Sequence, residues 1–273
     1  MSASADTPIF RREAHSGHRP ITPISDPPAP MHPAKRSRSL LIIPALNEEA
    51  SIGRVIDGVR ATGLDIDILV IDDGSRDRTA AIVTEHGGLV VSHPFNLGYG
   101  AAIQTGYKFA VRHGYAELVQ MDADGQHDPA YVPSLLSPIR ADDFDIVIGS
   151  RFVQESGYEM GSARSAGRVF FQRVLAFFGG PHIADPTSGL QALSRKAFEF
   201  CCSDFYPSDF PDIDVLLLLD RQGFRIREVP VEMAPSPPGR KTMHAGLKTI
   251  YYPYKMLLST FRSWRTPVSR GTR

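Results

Sequence analysis

Cysteine is nearly absent. The 273 residues include only Cys201 and Cys202, and adjacent cysteines cannot form the usual structural cross-link. That excludes a disulfide framework and fits a reducing cytosol. There is no run of about 18 apolar residues, which excludes a membrane-spanning helix, and the first residues lack the apolar core of a signal peptide. Net charge is also absent, with 30 basic residues against 30 acidic. That balance hides a segregation: residues 1–39 carry 6 basic and 3 acidic side chains, 40–232 carry 16 and 27, and 233–273 carry 8 and none. An acidic core offers no face to nucleic-acid phosphates, whereas a basic tail suits an anionic membrane surface. What the chain does have is apolar mass, 42% hydrophobic, enough for one α/β domain or two small ones.

Residues 1–38 are proline-rich around Pro27-Pro28-Ala29-Pro30 and show no apolar periodicity, which predicts a disordered leader. Order begins at Leu40-Leu41-Ile42-Ile43-Pro44, a run typical of a buried parallel strand. A helix is expected from Asn47 to about Arg60, then strands over 66–71, 88–92, 117–121 and 145–148, with helices over 78–86 and 100–113 between them. Further on, helices are expected over 169–178, 194–200 and 212–222, and a late strand over 224–231. Strands alternating with helices specify a doubly wound, mostly parallel sheet, whose ligands bind beyond the carboxyl ends of the strands. Asn47-Glu48, Asp72-Asp73 and Asp122 to Asp128 all fall at such ends.

Asp122-Ala123-Asp124 leaves a strand with two carboxylates on one face, because alternate residues of an extended segment share a side. Two hard oxygen ligands with room for water suit Mg²⁺ or Mn²⁺, which bridges diphosphate oxygens and offsets charge on a leaving group. An EF-hand starting at Asp122 is excluded, since His127 and Pro133 stand where Gly and Glu are required. Asp72-Asp73-Gly74-Ser75 could accept hydrogen bonds from a base or ribose. Asn96-Leu97-Gly98-Tyr99-Gly100 has no Lys-Ser/Thr ending and so is not a P-loop; Gly98 and Gly100 there would let the backbone approach a donor.

Ile43-Pro44-Ala45-Leu46-Asn47-Glu48-Glu49, Val70-Ile71-Asp72-Asp73-Gly74-Ser75, the Asn96–Gly100 loop and Asp122-Ala123-Asp124-Gly125-Gln126-His127-Asp128-Pro129 together resemble family 2 glycosyltransferases. Ile148-Gly149-Ser150-Arg151-Phe152, Asp185-Pro186-Thr187-Ser188-Gly189 and Glu228-Val229-Pro230-Val231 are similar to the polyprenyl-phosphate branch, typified by dolichol-phosphate mannose synthase. The resemblance covers about residues 39–245. It implies a GT-A fold with a Rossmann-like nucleotide-binding half and an acceptor half, inversion at the anomeric carbon, and a UDP- or GDP-sugar donor. On the matching positions it implies that Pro44, Ala45, Asn47, Glu48, Asp73 and Ala123 line the nucleotide pocket. Asp122, Asp124 and Gln126 would hold the metal, and Arg151 would meet an acceptor phosphate with Arg164 or Arg168. At the family's late acid, spacing favours Asp214 and leaves Asp212 open. The loop Pro237 to His244 departs from the family's Arg followed by Gly-x-Ser-Lys.

Acceptor chemistry bears on these residues. A phosphate monoester, with a second pKa of about 6, is already a nucleophile at neutral pH and needs cationic positioning rather than a base. A hydroxyl acceptor needs a base, for which Asp185, Asp212 and Asp214 are the candidates. Leu247, Ile250, Tyr251, Tyr254, Leu257, Leu258 and Phe261 recur at helical spacing, with Lys248, Lys255 and Arg262 off that face and Trp264 beyond. This predicts an interfacial helix, kinked at Pro253; a helix packed on the domain or on a partner is the alternative. Family relatives often carry spanning helices at this end, which a separate membrane protein would supply here. The expected organisation is a leader over 1–38, a GT-A domain over 39–245 and a basic amphipathic helix and tail over 246–273. The expected activity is metal-dependent sugar transfer to a polyprenyl phosphate by a cytoplasmic protein peripheral to the cytosolic membrane face. Transfer to a saccharide hydroxyl and a non-catalytic nucleotide-binding subunit are the rivals. A nucleotidyltransferase is disfavoured because Pro44-Ala45-Leu46-Asn47 replaces its glycine-rich basic loop.

Overall fold

The computed structural model describes residues 38–153, 162–207, 211–234 and 248–267, without side-chain detail for 162–166 and 248–253. The chain divides after Lys35, and every described residue belongs to the second unit, Arg36–Arg273. Apart from Arg38, the expected leader lies outside the described residues, as does the loop 237–244.

Among the described residues seven strands form the sheet: β1 (Ser39–Ala45), β2 (Ile66–Asp72), β3 (Leu89–Ser92), β4 (Glu117–Gln120), β5 (Ile146–Ser150), β6 (Gln191–Ser194) and β7 (Ile226–Pro230). The helices are α1 (Ile52–Ala61), α2 (Thr79–Glu85), α3 (Tyr99–His113), α4 (Val132–Arg140), α5 (Ser162–Phe177), α6 (Arg195–Cys201), α7 (Ile213–Arg221) and α8 (Lys248–Arg265). The strand order is β3-β2-β1-β4-β6-β5-β7. Every pairing is parallel except those of β6, which runs antiparallel to both β4 and β5.

The run Leu40–Ile43 is continuously apolar because the sheet is covered on both faces. Leu40 and Ile42 join one buried cluster with Ile103, Tyr107 and Phe198, while Leu41 and Ile43 join another with Ile56, Val59 and Leu136. Helix α3 lies close on β1, since a Cβ added at Gly106 would stand 2.9 Å from Ile42 Cδ1. The half β3-β2-β1-β4 reverses its strand order between β1 and β4. That switch opens a crevice at their carboxyl ends.

Two elements were not expected from sequence. Helix α4 buries Val132, Leu135, Leu136 and Ile139 at helical spacing, but Pro133 and Pro138 obscure it; the first sits in the opening turn, where a missing N–H costs nothing. Strand β6 has four residues, too few for alternation to be visible, and it reverses the local direction of an otherwise parallel sheet. The amino end of α1 also differs from expectation. Asn47 has φ 56°, a left-handed conformation asparagine tolerates, so the helix begins at Ile52 rather than at Asn47.

Candidate active site

The loop after β1 is stitched to the loop after β2. The Asn47 N–H donates to Ser75 Oγ at 2.8 Å and its Oδ1 accepts from the Arg76 N–H at 2.9 Å. The Glu48 N–H donates to Thr79 Oγ1 at 2.8 Å, and the Glu48 carboxylate accepts from Ser51 Oγ at 2.7 Å. Pro44 and Ala45 are buried at the end of β1, and the Ala45 carbonyl accepts from the Asp73 N–H at 2.8 Å. Asp73 was expected to face the donor. In this structure its carboxylate is buried and bonds the protein's own loop, accepting from the N–H groups of Leu97 and Gly98 at 2.8 and 2.9 Å and meeting His93 Nδ1 at 2.7 Å. His93 is braced in turn by Thr105, 2.9 Å from Nε2. The loop passes so close to Gly74 that a Cβ there would lie 2.6 Å from the Phe95 carbonyl carbon. Gly98, at φ 102°, makes the turn into α3, and Gly100 is buried in its first turn.

Asp122 and Asp124 flank Ala123, which is buried in the core; Ala123 and Asp124 belong to the turn after β4 rather than to the extended segment expected. Asp122 is held at both oxygens: Tyr99 OH donates to Oδ1 at 3.0 Å, and His127 Nε2 lies 3.3 Å from Oδ2. The Tyr99 hydroxyl accepts from Gln120 Nε2 at 3.3 Å, and Gln120 Oε1 accepts from Tyr107 OH at 3.0 Å. Burial pulls the Asp122 carboxyl up, but the His127 hydrogen bond and charge, the Tyr99 hydroxyl and the Arg151 charge outweigh it and hold the carboxyl below its ordinary range. Asp124 moves the other way: burial, with the Asp122 charge, raises it although the Gln126 N–H donates to Oδ1. Burial and the charges of Asp122 and Asp212 push the Tyr99 hydroxyl well above its ordinary value, so it stays a donor. Gln126, expected as a metal ligand, pairs with Ala234: its carbonyl accepts from the Ala234 N–H at 2.9 Å and its Nε2 donates to the Ala234 carbonyl at 3.3 Å.

The antiparallel strand completes this cluster. Extending the Gln120↔Gln191 pairing by two residues brings Gly189 opposite Asp122, and a Cβ on Gly189 would collide with both Asp122 oxygens. Only a residue without a side chain fits there.

On the acceptor side, Arg151 and Asp185 were expected to act separately but are paired. Arg151 Nε and Nη2 donate to the two Asp185 oxygens at 2.6 Å each, and Asp185 is wholly buried. Such a fork fixes the guanidinium plane. The Glu228 carboxylate accepts from the N–H groups of Ala184 and Asp185 at 2.7 and 2.8 Å and so sets the turn that carries Asp185. Gln172 Nε2 donates to the Ala184 carbonyl at 2.9 Å, and Arg168 Nη1 to the same oxygen at 3.4 Å. The Arg151 and Arg168 guanidinium carbons lie 5.3 and 4.4 Å from the Phe152 ring centre. The Nε of Arg168 is buried with no hydrogen-bond partner among the described residues. The side chain of Arg164 lies outside them.

The two late acids separate. Asp214 is wholly buried; its Oδ1 accepts from the N–H groups of Asp212 and Val215 at 3.0 and 2.8 Å, and Ser259 Oγ on α8 donates to Oδ2. Burial, aided by the Asp212 charge, pushes its carboxyl up to about 7 against the Ser259 hydrogen bond. Asp212 is partly exposed, and its charge reaches Tyr99. Of the two, only Asp212 has a surface left open to solvent, although spacing favoured Asp214.

No group of three or more His, Cys, Asp or Glu side chains among the described residues is arranged to hold a metal ion. Two neighbouring carboxylates, Asp122 and Asp124, still fit Mg²⁺ or Mn²⁺, because such ions are commonly held by one or two carboxylates with water and substrate phosphates completing the shell. Tyr99, His127, Gly189 and Glu228, which orient the candidate ligands and Arg151, were given no role from sequence. All four lie inside motifs already singled out there; what was missing was the partner each one meets.

A family model described as Glycosyl transferase family 2 matches residues 40–201. A UDP-N-acetylglucosamine–dolichyl-phosphate N-acetylglucosaminyltransferase of Methanococcus voltae is 28% identical, over 81% of this chain and 88% of its own. A polyprenol monophosphomannose synthase of Mycolicibacterium smegmatis is 32% identical, over 75% of this chain and 79% of its own. Among solved structures, a glucosyl-3-phosphoglycerate synthase from Mycobacterium tuberculosis, in complex with Mn²⁺, UDP-glucose and phosphoglyceric acid, superposes with a TM-score of 0.64 at 23% identity, covering 85% of this chain and 81% of that one.

Two outcomes are expected. Gly189→Ala displaces the Asp122 carboxylate and lowers Mn²⁺ affinity roughly tenfold, read by electron-paramagnetic titration of free Mn²⁺, with the far-ultraviolet dichroism retained; undiminished affinity would show that Gly189 does not set Asp122. For Asp214, a folded value above the unfolded one means that stability is full below about pH 4 and is lost as pH rises towards 7. Thermal unfolding of Asp214→Asn across pH 5 to 8 should therefore lack a destabilisation, on the order of 3 kcal/mol, that the parent protein shows over that interval.

Proposed function

The chain belongs to glycosyl transferase family 2 and has the GT-A fold, and from that premise we propose that it transfers a sugar from a UDP- or GDP-sugar to a polyprenyl phosphate at the cytosolic face of a membrane. The observation that carries the choice of acceptor is the placement of the three candidate bases. Asp185 is buried and forked to Arg151, and Asp214 is buried and held by Ser259, so of the three only Asp212 is not wholly buried. A hydroxyl acceptor depends on a base, whereas an ionised phosphate depends on cations. Arg151 and Arg168, gathered against Phe152, supply those cations.

In this reading the loops stitched together at Asn47, Glu48 and Asp73 receive the nucleotide, and Gly98 and Gly100 admit its diphosphate to the backbone. Asp122 and Asp124 hold Mg²⁺ or Mn²⁺, with Gln126 at the rim. When bound, such an ion supplies positive charge beside the departing nucleoside diphosphate. Arg151, held in plane by Asp185, orients the acceptor phosphate for attack on the anomeric carbon from the face opposite the leaving group. Two of the relatives support a lipid phosphate, since their names specify dolichyl phosphate and polyprenol. No helix among the described residues is long and apolar enough to cross a membrane, so contact with the bilayer falls to surface elements, α8 first among them, with or without a separate membrane protein. Asp212 keeps a second reading open, transfer to a saccharide hydroxyl.

The test is transfer from radiolabelled UDP- and GDP-sugars in the presence of Mn²⁺ and a detergent-solubilised polyprenyl phosphate. Label should enter the organic-extractable fraction from one donor, and Arg151→Ala should cut that transfer at least tenfold. Label recovered only in water-soluble saccharide would overturn the lipid acceptor in favour of the hydroxyl.

A further inference from the structure

Helix α8 packs the wrong way round for a helix of a soluble domain. Met256, Thr260 and Ser263 are buried, and Ser259 bonds Asp214 of α7, whereas Tyr254, Leu257, Leu258, Phe261 and Trp264 are all exposed. The small and hydroxyl-bearing face is turned inward and the aromatic face outward. A globular helix does the reverse, and leaving such a stripe in water forgoes the free energy of burying it.

A second helix continues the same surface. On α5, Val169 and Phe170 are exposed, and Phe177 is 83% exposed. Phe178, just beyond α5, meets Trp264 of α8 with ring centres 6.0 Å apart. Between the helices runs a cleft of about 250 Å³ lined by Phe170, Arg173, Val174, Phe177, Phe178 and Leu257. Its walls are wholly apolar, Arg173 contributing the aliphatic part of its side chain. A contiguous apolar patch of this kind marks an interaction site.

Charge identifies the occupant. Neither helix contains an acidic residue, and none occurs anywhere after residue 232, while Arg173, Lys255, Arg262 and Arg265 lie on them. Apolar and aromatic side chains set among basic ones match an anionic lipid surface, in which the side chains enter the headgroup–acyl boundary and the cations meet the headgroups. We infer that α5 and α8 together form a two-helix seat for an anionic bilayer, with the cleft between them taking up an acyl chain. Arg168 lies nine residues before Phe177, about two and a half turns away, and so on the opposite side of α5. The helix that meets the bilayer on one side thus carries an acceptor-side arginine on the other.

Vesicle binding tests the seat without nucleotide-sugar, so it can fail while lipid-phase transfer in detergent stands, and the reverse. The whole protein should co-sediment with phosphatidylcholine–phosphatidylglycerol vesicles, bind phosphatidylcholine alone far more weakly, and lose binding as salt screens the charges. Phe177→Ser on α5 and Leu258→Ser on α8 should each weaken partition roughly tenfold, and Arg173→Glu should weaken it for the anionic vesicles. Both apolar positions are exposed, and unchanged melting temperatures would confirm intact folds. If Leu258→Ser weakens binding but Phe177→Ser and Arg173→Glu do not, α8 seats the protein alone and the two-helix proposal is overturned. Equal binding to neutral vesicles, or no vesicle binding with a concentration-dependent dimer that Phe177→Ser dissolves, overturns it as well.

Discussion

A carboxylate at the end of a buried strand has to be supported on every side, and the chain is built around one such group, Asp122. Tyr99 and His127 hold its two oxygens, a relay from Tyr107 through Gln120 holds Tyr99, and the backbone of Gly189 closes the remaining side. The three approaches come from different elements: α3, the loop after β4, and the turn before β6. The order β3-β2-β1-β4 supplies the crevice, and the antiparallel β6 brings in the one turn from the acceptor half that must touch it. Without that reversal, Gly189 and the Asp185 turn would have no reason to lie beside Asp122.

The acceptor half follows the same logic of one group fixing the next. Glu228 sets the backbone of Ala184 and Asp185, Asp185 forks Arg151, and Arg151 contributes to the low pKa of Asp122. The charge of Arg151 thus reaches Asp122 from the neighbouring turn. The same pairing removes Asp185 as a base, which connects the packing of the turn to the chemistry of the acceptor.

Much of this was legible in the sequence, for physical reasons. A strand buried on both faces must be continuously apolar, so Leu40–Ile43 announced itself, and the polar clusters that follow such strands had to lie at the sheet's carboxyl edge. The family resemblance then supplied the fold and the order of the loops. Partnership was not legible. Asp73, Asp185 and Asp214 each looked like a group available to a ligand, and each is a buried carboxylate bonded to the protein's own backbone, an arginine or a serine. A carboxylate written in a sequence does not say whether it faces outward; that depends on chain crossings such as β6, whose four residues carry no periodic signal. The apolar stripe on α8 was visible, but its direction was not, because direction depends on Ser259, Thr260 and Ser263 finding a better fit against α7 than the aromatics do.

In the proposed function Asp122 and Asp124 form a divalent-cation grip for a nucleoside diphosphate. Titration calorimetry of UDP and GDP with and without Mn²⁺ addresses it most directly. One of the two nucleotides should bind measurably only when Mn²⁺ is present, and Asp124→Ala should abolish that dependence. Equal affinity with and without the metal, or a metal dependence that survives Asp124→Ala, would contradict it.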